Sequence, residues 1–260
     1  MNEPPEASRN APPFVLRVSA APVKPFSVPR HLCSLSPTRQ IASAPSDIVS
    51  AMERLVWTPS EVVDVDGPRA LLRAYLEQRD VRTLLATRHR GRLAAACDVG
   101  CGFGRMTSLL GEFAGTVVGF EREPALVATA RALLPGIDVR AIERLATLPA
   151  ADASFDIGLV FTVLQHVPEP GVLDVVAELR RIMKPDGTLL LCEETDVALE
   201  AGDRAHGELG YTCGRAPEVY SRWLSPWRLV AAKPRVIEPD YPRPDVGSYM
   251  LFVGPDASPR

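Results

Sequence analysis

Ala95-Ala96-Cys97-Asp98-Val99-Gly100-Cys101-Gly102-Phe103-Gly104-Arg105 decides the fold class, read together with Thr116-Val117-Val118-Gly119-Phe120-Glu121 downstream. The first stretch reads as a strand, a glycine-rich turn and the entry to a helix, and the second as a strand ending in a carboxylate. That order opens an α/β sheet, which grips nucleoside-bearing ligands at the carboxyl ends of its strands. Gly100, Gly102 and Gly104 follow G-x-G-x-G, and Arg105 stands where a dinucleotide fingerprint places its third glycine. Asp98 before the turn serves a diphosphate poorly and a cationic amino-acid group well. Glu121, 23 residues after Asp98, sits where a carboxylate accepts hydrogen bonds from both ribose hydroxyls of an adenosine.

Outward from this stretch, strands and helices alternate. Strand one spans Leu93–Val99, and its helix carries Met106, Leu109, Leu110 and Phe113 on one face. Strand two is Thr116–Phe120, followed by a helix from Pro124 through Leu133. Strand three is short, Ile137–Ala141, and strand four is Ile157–Phe161. A helix from Pro170 to Met183 stops at Lys184-Pro185-Asp186-Gly187, a turn that launches strand five, Thr188–Cys192. Leu189-Leu190-Leu191 is the continuous apolar run of a strand covered on both faces. Pro217 starts a helix with Val219, Tyr220, Trp223 and Leu224. Two closing strands follow, Leu229–Ala232 or Val236–Ile237 and then Ser248–Val253. Before strand one, Asp47–Val56 reads as a short helix. Pro68 opens a longer one with Leu71, Leu72, Tyr75 and Leu76 in register, both on the entrance side of the cleft. The expectation is an α/β fold with a doubly wound, mostly parallel seven-stranded sheet, Rossmann-like, in a single domain over 47–260.

At 260 residues and 46% hydrophobic, the chain can bury one substantial core. Its net charge of −3 provides no global attraction to nucleic acid or anionic lipid, and no apolar run approaches a membrane span. Residues 1–46 form a proline- and serine-rich basic extension, with five basic residues against two acidic ones, and read as disordered. The remaining residues therefore carry −6. Five scattered cysteines suit reduced thiols in a cytoplasmic protein, and no second pair joins Cys97 and Cys101 to make a metal site.

These residues resemble the class I S-adenosylmethionine-dependent methyltransferases, in particular the small-molecule branch. The resemblance is carried by Asp98–Arg105, Glu121, Leu148-Pro149, Ser154-Phe155-Asp156, Leu164-Gln165-His166-Val167 and Leu179-Arg180-Arg181-Ile182-Met183-Lys184-Pro185-Asp186-Gly187, over about residues 90–195. It implies S-adenosyl-L-methionine as cofactor, with Asp98, Gly100, Gly102 and Gly104 around the methionine portion and Glu121 on the ribose. It also implies that the segment after strand three frames the adenine. Here Glu143-Arg144-Leu145 stands where an aspartate is common, so Glu143 or backbone near Leu145 takes that contact. His166, just after strand four, is the candidate proton acceptor if the acceptor is a hydroxyl. Glu194, Tyr211 and Arg215, on the rim and in the irregular segment after strand five, are candidate contacts to a small-molecule acceptor.

Two other classes compete. A nicotinamide-dependent oxidoreductase is disfavoured by Arg105 in place of the third glycine, and a non-catalytic methyltransferase-like binding subunit would keep the same turn. Phe161-Thr162-Val163-Leu164 lacks the Pro-Pro-aromatic signature of amino-adenine methylation, and no cysteine follows a proline as cytosine C5 chemistry requires.

Overall fold

The computed structural model describes residues 67–169, 171–196, 204–205, 211–235 and 247–258. The basic extension and the helix expected over Asp47–Val56 lie outside them. In chain order the elements are α1 Gly67–Arg88, β1 Leu93–Val99, α2 Thr107–Leu110, β2 Ala114–Glu121, α3 Pro124–Leu133, β3 Asp138–Ala141 and β4 Phe155–Phe161. A 3-10 turn at Leu164–His166 precedes α4 Gly171–Ile182, β5 Met183–Glu193, β6 Arg204–Ala205 and β7 Tyr211–Thr212. α5 Pro217–Leu224, β8 Arg228–Pro234 and β9 Ser248–Val253 complete the set.

Seven strands form one sheet in the order β3-β2-β1-β4-β5-β9-β8. The first five are parallel, and β9 runs antiparallel between β5 and β8. The chain leaves β1 toward β2 and β3, then crosses back to lay β4 on the other side of β1. Such a reversal opens a crevice at the strand ends, between β1 and β4.

The strands alternate between two cores. Val160, Leu189 and Leu191 join Leu179, Ile182 and Tyr220 on the α4–α5 side. Ile157, Leu159, Phe161, Leu190 and Cys192 join Val81, Leu85 and Leu109 on the α1–α2 side. The triple leucine therefore feeds both layers, as a strand buried on both faces must. The Lys184–Gly187 turn appears as an interruption of β5. Phe155 pairs with Met183 and Ile157 already with Thr188, so the residues between bulge out of the ladder.

α1 departs from the expected register. Leu71 and Tyr75 are 73% and 65% exposed, and Leu72 is exposed as well. The buried face is instead Glu77, Asp80, Val81, Leu84 and Leu85, which keep helical spacing one turn further on. The face shifted because its two carboxylates find cations on distant segments: Glu77 meets Arg105 and Arg235, and Asp80 meets Lys233 at 2.6 Å. α2 is a single turn, although Met106, Leu109, Leu110 and Phe113 are all buried as their spacing requires.

Candidate active site

The glycine turn is tied to the end of β2 at three points. The amides of Gly100 and Cys101 both donate to the Phe120 carbonyl, at 2.8 and 3.0 Å. The Gly102 amide donates to Glu121 Oε2 at 2.9 Å. Glu121 Oε1 accepts from the Arg122 and Glu123 amides at 2.7 and 2.8 Å. The strand-end carboxylate is thus fixed by backbone donors on both oxygens: Oε1 spends both lone pairs on amides, and Oε2 retains one for a further donor. Gly100 has φ +74°, and a Cβ there would collide with the Val163 side chain, so only glycine permits this approach.

A cleft of about 380 Å³, counted to its open mouth, lies at the carboxyl ends of β1 and β4. Asp98, Gly100, Gly102, Arg105, Phe161 and Thr162 are among its lining residues. Thr162 holds φ +56°, a left-handed conformation that costs a β-branched residue about 1 kcal/mol or more. Asp98 is buried and accepts a 2.7 Å hydrogen bond from the Thr107 hydroxyl. Burial pushes its carboxyl up to about 7, against the opposing pull of that bond and of Arg105. A carboxylate this poorly solvated gains from any cation brought beside it.

One wall is a charged cluster. Glu77 on α1 forms ion pairs with Arg105 and Arg235, and Arg73 Nε donates to it at 3.3 Å. Burial pushes Glu77 up, but the three guanidinium groups outweigh it and hold the carboxyl at about 2. The guanidinium carbons of Arg105 and Arg235 lie 5.0 and 5.2 Å from the Phe161 ring centroid. Sequence reading used Arg105 only as a missing glycine and did not reach Glu77 or Arg235. Arg235 stands 158 residues from Glu77, and no local pattern links them.

The rim after β4 is a second cluster. Glu193, fully buried at the end of β5, accepts the amides of Val163, Leu164 and Gln165 at 3.0–3.1 Å. Burial raises its carboxyl to about 7, opposed by those three bonds and by Arg215. The expected acceptor contact Arg215 is buried too. It donates to the Leu164 and Val167 carbonyls at 2.9 and 2.8 Å, and its guanidinium lies 5.2 Å from the Trp223 ring. Its residues thus hold the rim and do not project from a loop. Glu194 is likewise buried, with Oε1 accepting the Asp196 amide at 2.9 Å. Tyr211, on β7, has its backbone paired with Ala205 of β6.

His166 has both ring nitrogens engaged. Gln165 Oε1 accepts the Glu194 amide at 2.8 Å, which turns the Gln165 amino group toward His166 Nε2 at 3.2 Å. Nε2 is therefore an acceptor, and Nδ1–H donates to Thr212 Oγ1 at 3.1 Å. Beyond β3, the Ile142 amide donates to the Glu121 carbonyl at 2.9 Å, which brings the next residues to the strand-end side. Glu143 there is exposed, and Leu145 packs against the core. Among the described residues no group of three or more His, Cys, Asp or Glu side chains is placed to hold a metal. No helix among them is long and apolar enough to cross a membrane.

Comparison with known proteins agrees with this geometry. Residues 97–191 match the family described as the methyltransferase domain. A Mycolicibacterium smegmatis protein named as a probable S-adenosylmethionine-dependent methyltransferase is 32% identical over 117 residues, 43% of this chain and 44% of that relative. The chain thus spans under half the length of that relative. Two solved structures share the fold at 18% identity. A Leishmania major SAM-dependent methyltransferase gives a TM-score of 0.59 over 80% of this chain and 81% of its own. Burkholderia thailandensis 1,6-didemethyltoxoflavin-N1-methyltransferase, with bound 1,6-didemethyltoxoflavin and S-adenosylhomocysteine, gives 0.58 over 84% and 93%. Residues 97–191 thus match a methyltransferase domain, set in a Rossmann-like sheet whose glycine turn is pinned to Glu121.

Proposed function

We propose that the chain transfers a methyl group from S-adenosylmethionine to an oxygen or nitrogen of a small-molecule acceptor. The observation that carries this reading is the pairing of a buried, cation-seeking Asp98 with a Glu121 held by the Gly102 amide, on two sides of one glycine turn. The residues present fit the donor: an ammonium-bearing tail meets Asp98, the glycine backbone admits close approach, and Glu121 Oε2 keeps a lone pair for a ribose hydroxyl. Glu143 and Leu145 extend the same strand-end side toward the adenine. S-adenosylmethionine supplies, when bound, an electrophilic methyl on a sulfonium.

The chain's own contribution is orientation and exclusion of water. Holding two reactants in line accounts for much of the acceleration available to such a displacement. The β4 rim, clamped by Glu193 and Arg215, provides a rigid edge on the acceptor side. Within this reading His166 serves as part of that edge, since its accepting nitrogen already takes the Gln165 amide. Glu194 and Tyr211 flank the same region. A small acceptor is favoured by the acidic character of residues 47–260, and the toxoflavin enzyme is a fold neighbour with a small acceptor bound.

Calorimetric titration with S-adenosylmethionine, S-adenosylhomocysteine and NAD tests the donor. Binding of the first two with no saturable NAD heat is the expected result. Binding of NAD alone would overturn the reading in favour of a nicotinamide-dependent oxidoreductase. Methylated product detected by mass spectrometry from a panel of phenols and amines separates a catalyst from a binding subunit.

A further inference from the structure

We infer that Glu193 is a positioning residue for the donor: its carboxylate fills a nest of amides after β4, which holds Thr162 left-handed and seats Val163 on Gly100 of the glycine turn. The inference rests on the donor reading above and extends it to a residue that no ligand touches.

The backbone after β4 changes hand. Thr162 has φ +56°, and Val163 follows with φ −115° and ψ −53°. Successive residues of opposite hand turn their amides toward one side, and the concavity they form attracts an anion. Here the anion is Glu193, whose Oε1 accepts the Val163 and Leu164 amides at 3.1 Å and whose Oε2 accepts that of Gln165 at 3.0 Å. The Thr162 amide donates to the Cys192 carbonyl at 2.7 Å, so the end of β5 grips all four residues. Glycine enters left-handed backbone freely, whereas a β-branched threonine persists there only where surrounding bonds impose it. Carboxylate and strained residue therefore depend on each other. Without the anion the converging amides lose their acceptor, and Thr162 gains by returning to negative φ.

That return reaches the donor site through one contact. Val163 Cγ2 fills the space that a Cβ would take at Gly100, and Gly100 lines the cleft together with Thr162. Arg215 holds the trailing Leu164 and Val167 carbonyls, so freedom released at Glu193 falls on the leading residues, Thr162 and Val163. Glu193 itself is 0% exposed and acts on a ligand only through them.

The test uses the full chain as wild type, Glu193→Gln, Thr162→Gly and the double variant. Each is titrated with S-adenosylhomocysteine at pH 8, above the value of about 7 to which burial raises the Glu193 carboxyl. Glutamine keeps the length of the side chain but turns an amino group toward amide donors. Glu193→Gln should raise Kd by about tenfold. Thr162→Gly removes the strain that the carboxylate offsets. Alone it should stay within about twofold of wild type, and it should bring the double variant back to within about threefold. A residue that only stabilises the fold gives no such recovery, since glycine restores no bond. Amide hydrogen exchange at Gly100 in the ligand-free chain should follow the same order, faster in Glu193→Gln and slow again in the double variant. Glu193→Asp, whose carboxylate is too short to span the three amides, replaces the glutamine variant in the same cycle should that one fail to fold. A Kd that stays within about twofold of wild type without Glu193, or a weakening that Thr162→Gly does not reverse, overturns the inference. So does an exchange rate at Gly100 that is the same in all four chains. Failure of the wild type to bind S-adenosylhomocysteine overturns the donor reading itself, and the assignment of Glu193 to the donor falls with it.

Discussion

Asp98 is a buried carboxylate whose ordinary acidity is displaced upward to about 7, and in the function proposed above it receives the cationic end of the donor. Only the ionised form attracts an ammonium, so below about pH 7 a ligand must first displace a proton. Affinity for S-adenosylhomocysteine is expected to rise by close to tenfold per unit of pH from about 5.5 to 7 and to level off above, with protons released on binding. Calorimetry in buffers of different ionisation enthalpy measures both effects, and Asp98→Asn should flatten the profile. Glu121 acts differently, since its oxygens hold three amides that belong to the turn and the strand end. Glu121→Ala should weaken donor binding by about 1–3 kcal/mol, seen as a higher Kd, because the Gly102 amide loses its acceptor and the ribose its partner. Both residues were legible in the sequence, because their spacing about a strand-turn-helix is local. Glu77 and Arg235 were not, because ion pairing between segments that far apart leaves no periodic trace.

The 3-10 turn at Leu164–His166 is an element made by its neighbours. Its own three residues hold little, yet Glu193 from β5 takes its leading amides and Arg215 takes its trailing carbonyls. An anion at the amide end and a cation at the carbonyl end match the dipole of the turn. Arg215→Met should therefore strand two carbonyls and leave Glu193 facing no cation, costing about 3 kcal/mol in urea denaturation, whereas Arg222→Ala on exposed α5 surface should stay within about 0.5 kcal/mol. The strands and α3 could be read directly, since β1, α3 and β9 begin and end where apolar periodicity and proline place them. α1 could not. Its apolar stripe at Leu71, Leu72 and Tyr75 is the stronger hydrophobic signal, but its polar residues Glu77 and Asp80 face the protein, because cations outside the helix compensate them. Arg215 misled for the same reason: an arginine in a weakly patterned stretch reads as solvent-facing until its carbonyl partners are known.

Across the whole molecule, buried carboxylates pull stability in opposite directions with pH. Glu77 joins α1, the residue after the glycine turn and the segment after β8, and its carboxyl is held at about 2 by the guanidinium groups around it. A group lowered in the folded state stabilises fully above its unfolded value near 4.5, and that contribution is lost as pH falls toward 2. Asp98 and Glu193 are raised to about 7, so their folded forms prefer the proton. Their contribution is greatest below about pH 4 and declines as pH climbs to 7. The two signs are separable with Glu77→Gln. The stability gap between wild type and this variant should be about 3 kcal/mol above pH 5 and should close progressively below about 4.5. Urea denaturation at half-unit steps from pH 2.5 to 6 reads that gap, since the effects of Asp98 and Glu193 cancel between two chains that share them. A gap that stays constant across the series would mean that Glu77 holds α1 by shape and hydrogen bonding alone. In that case the wall of the cleft would not be an ion cluster poised around a shared charge.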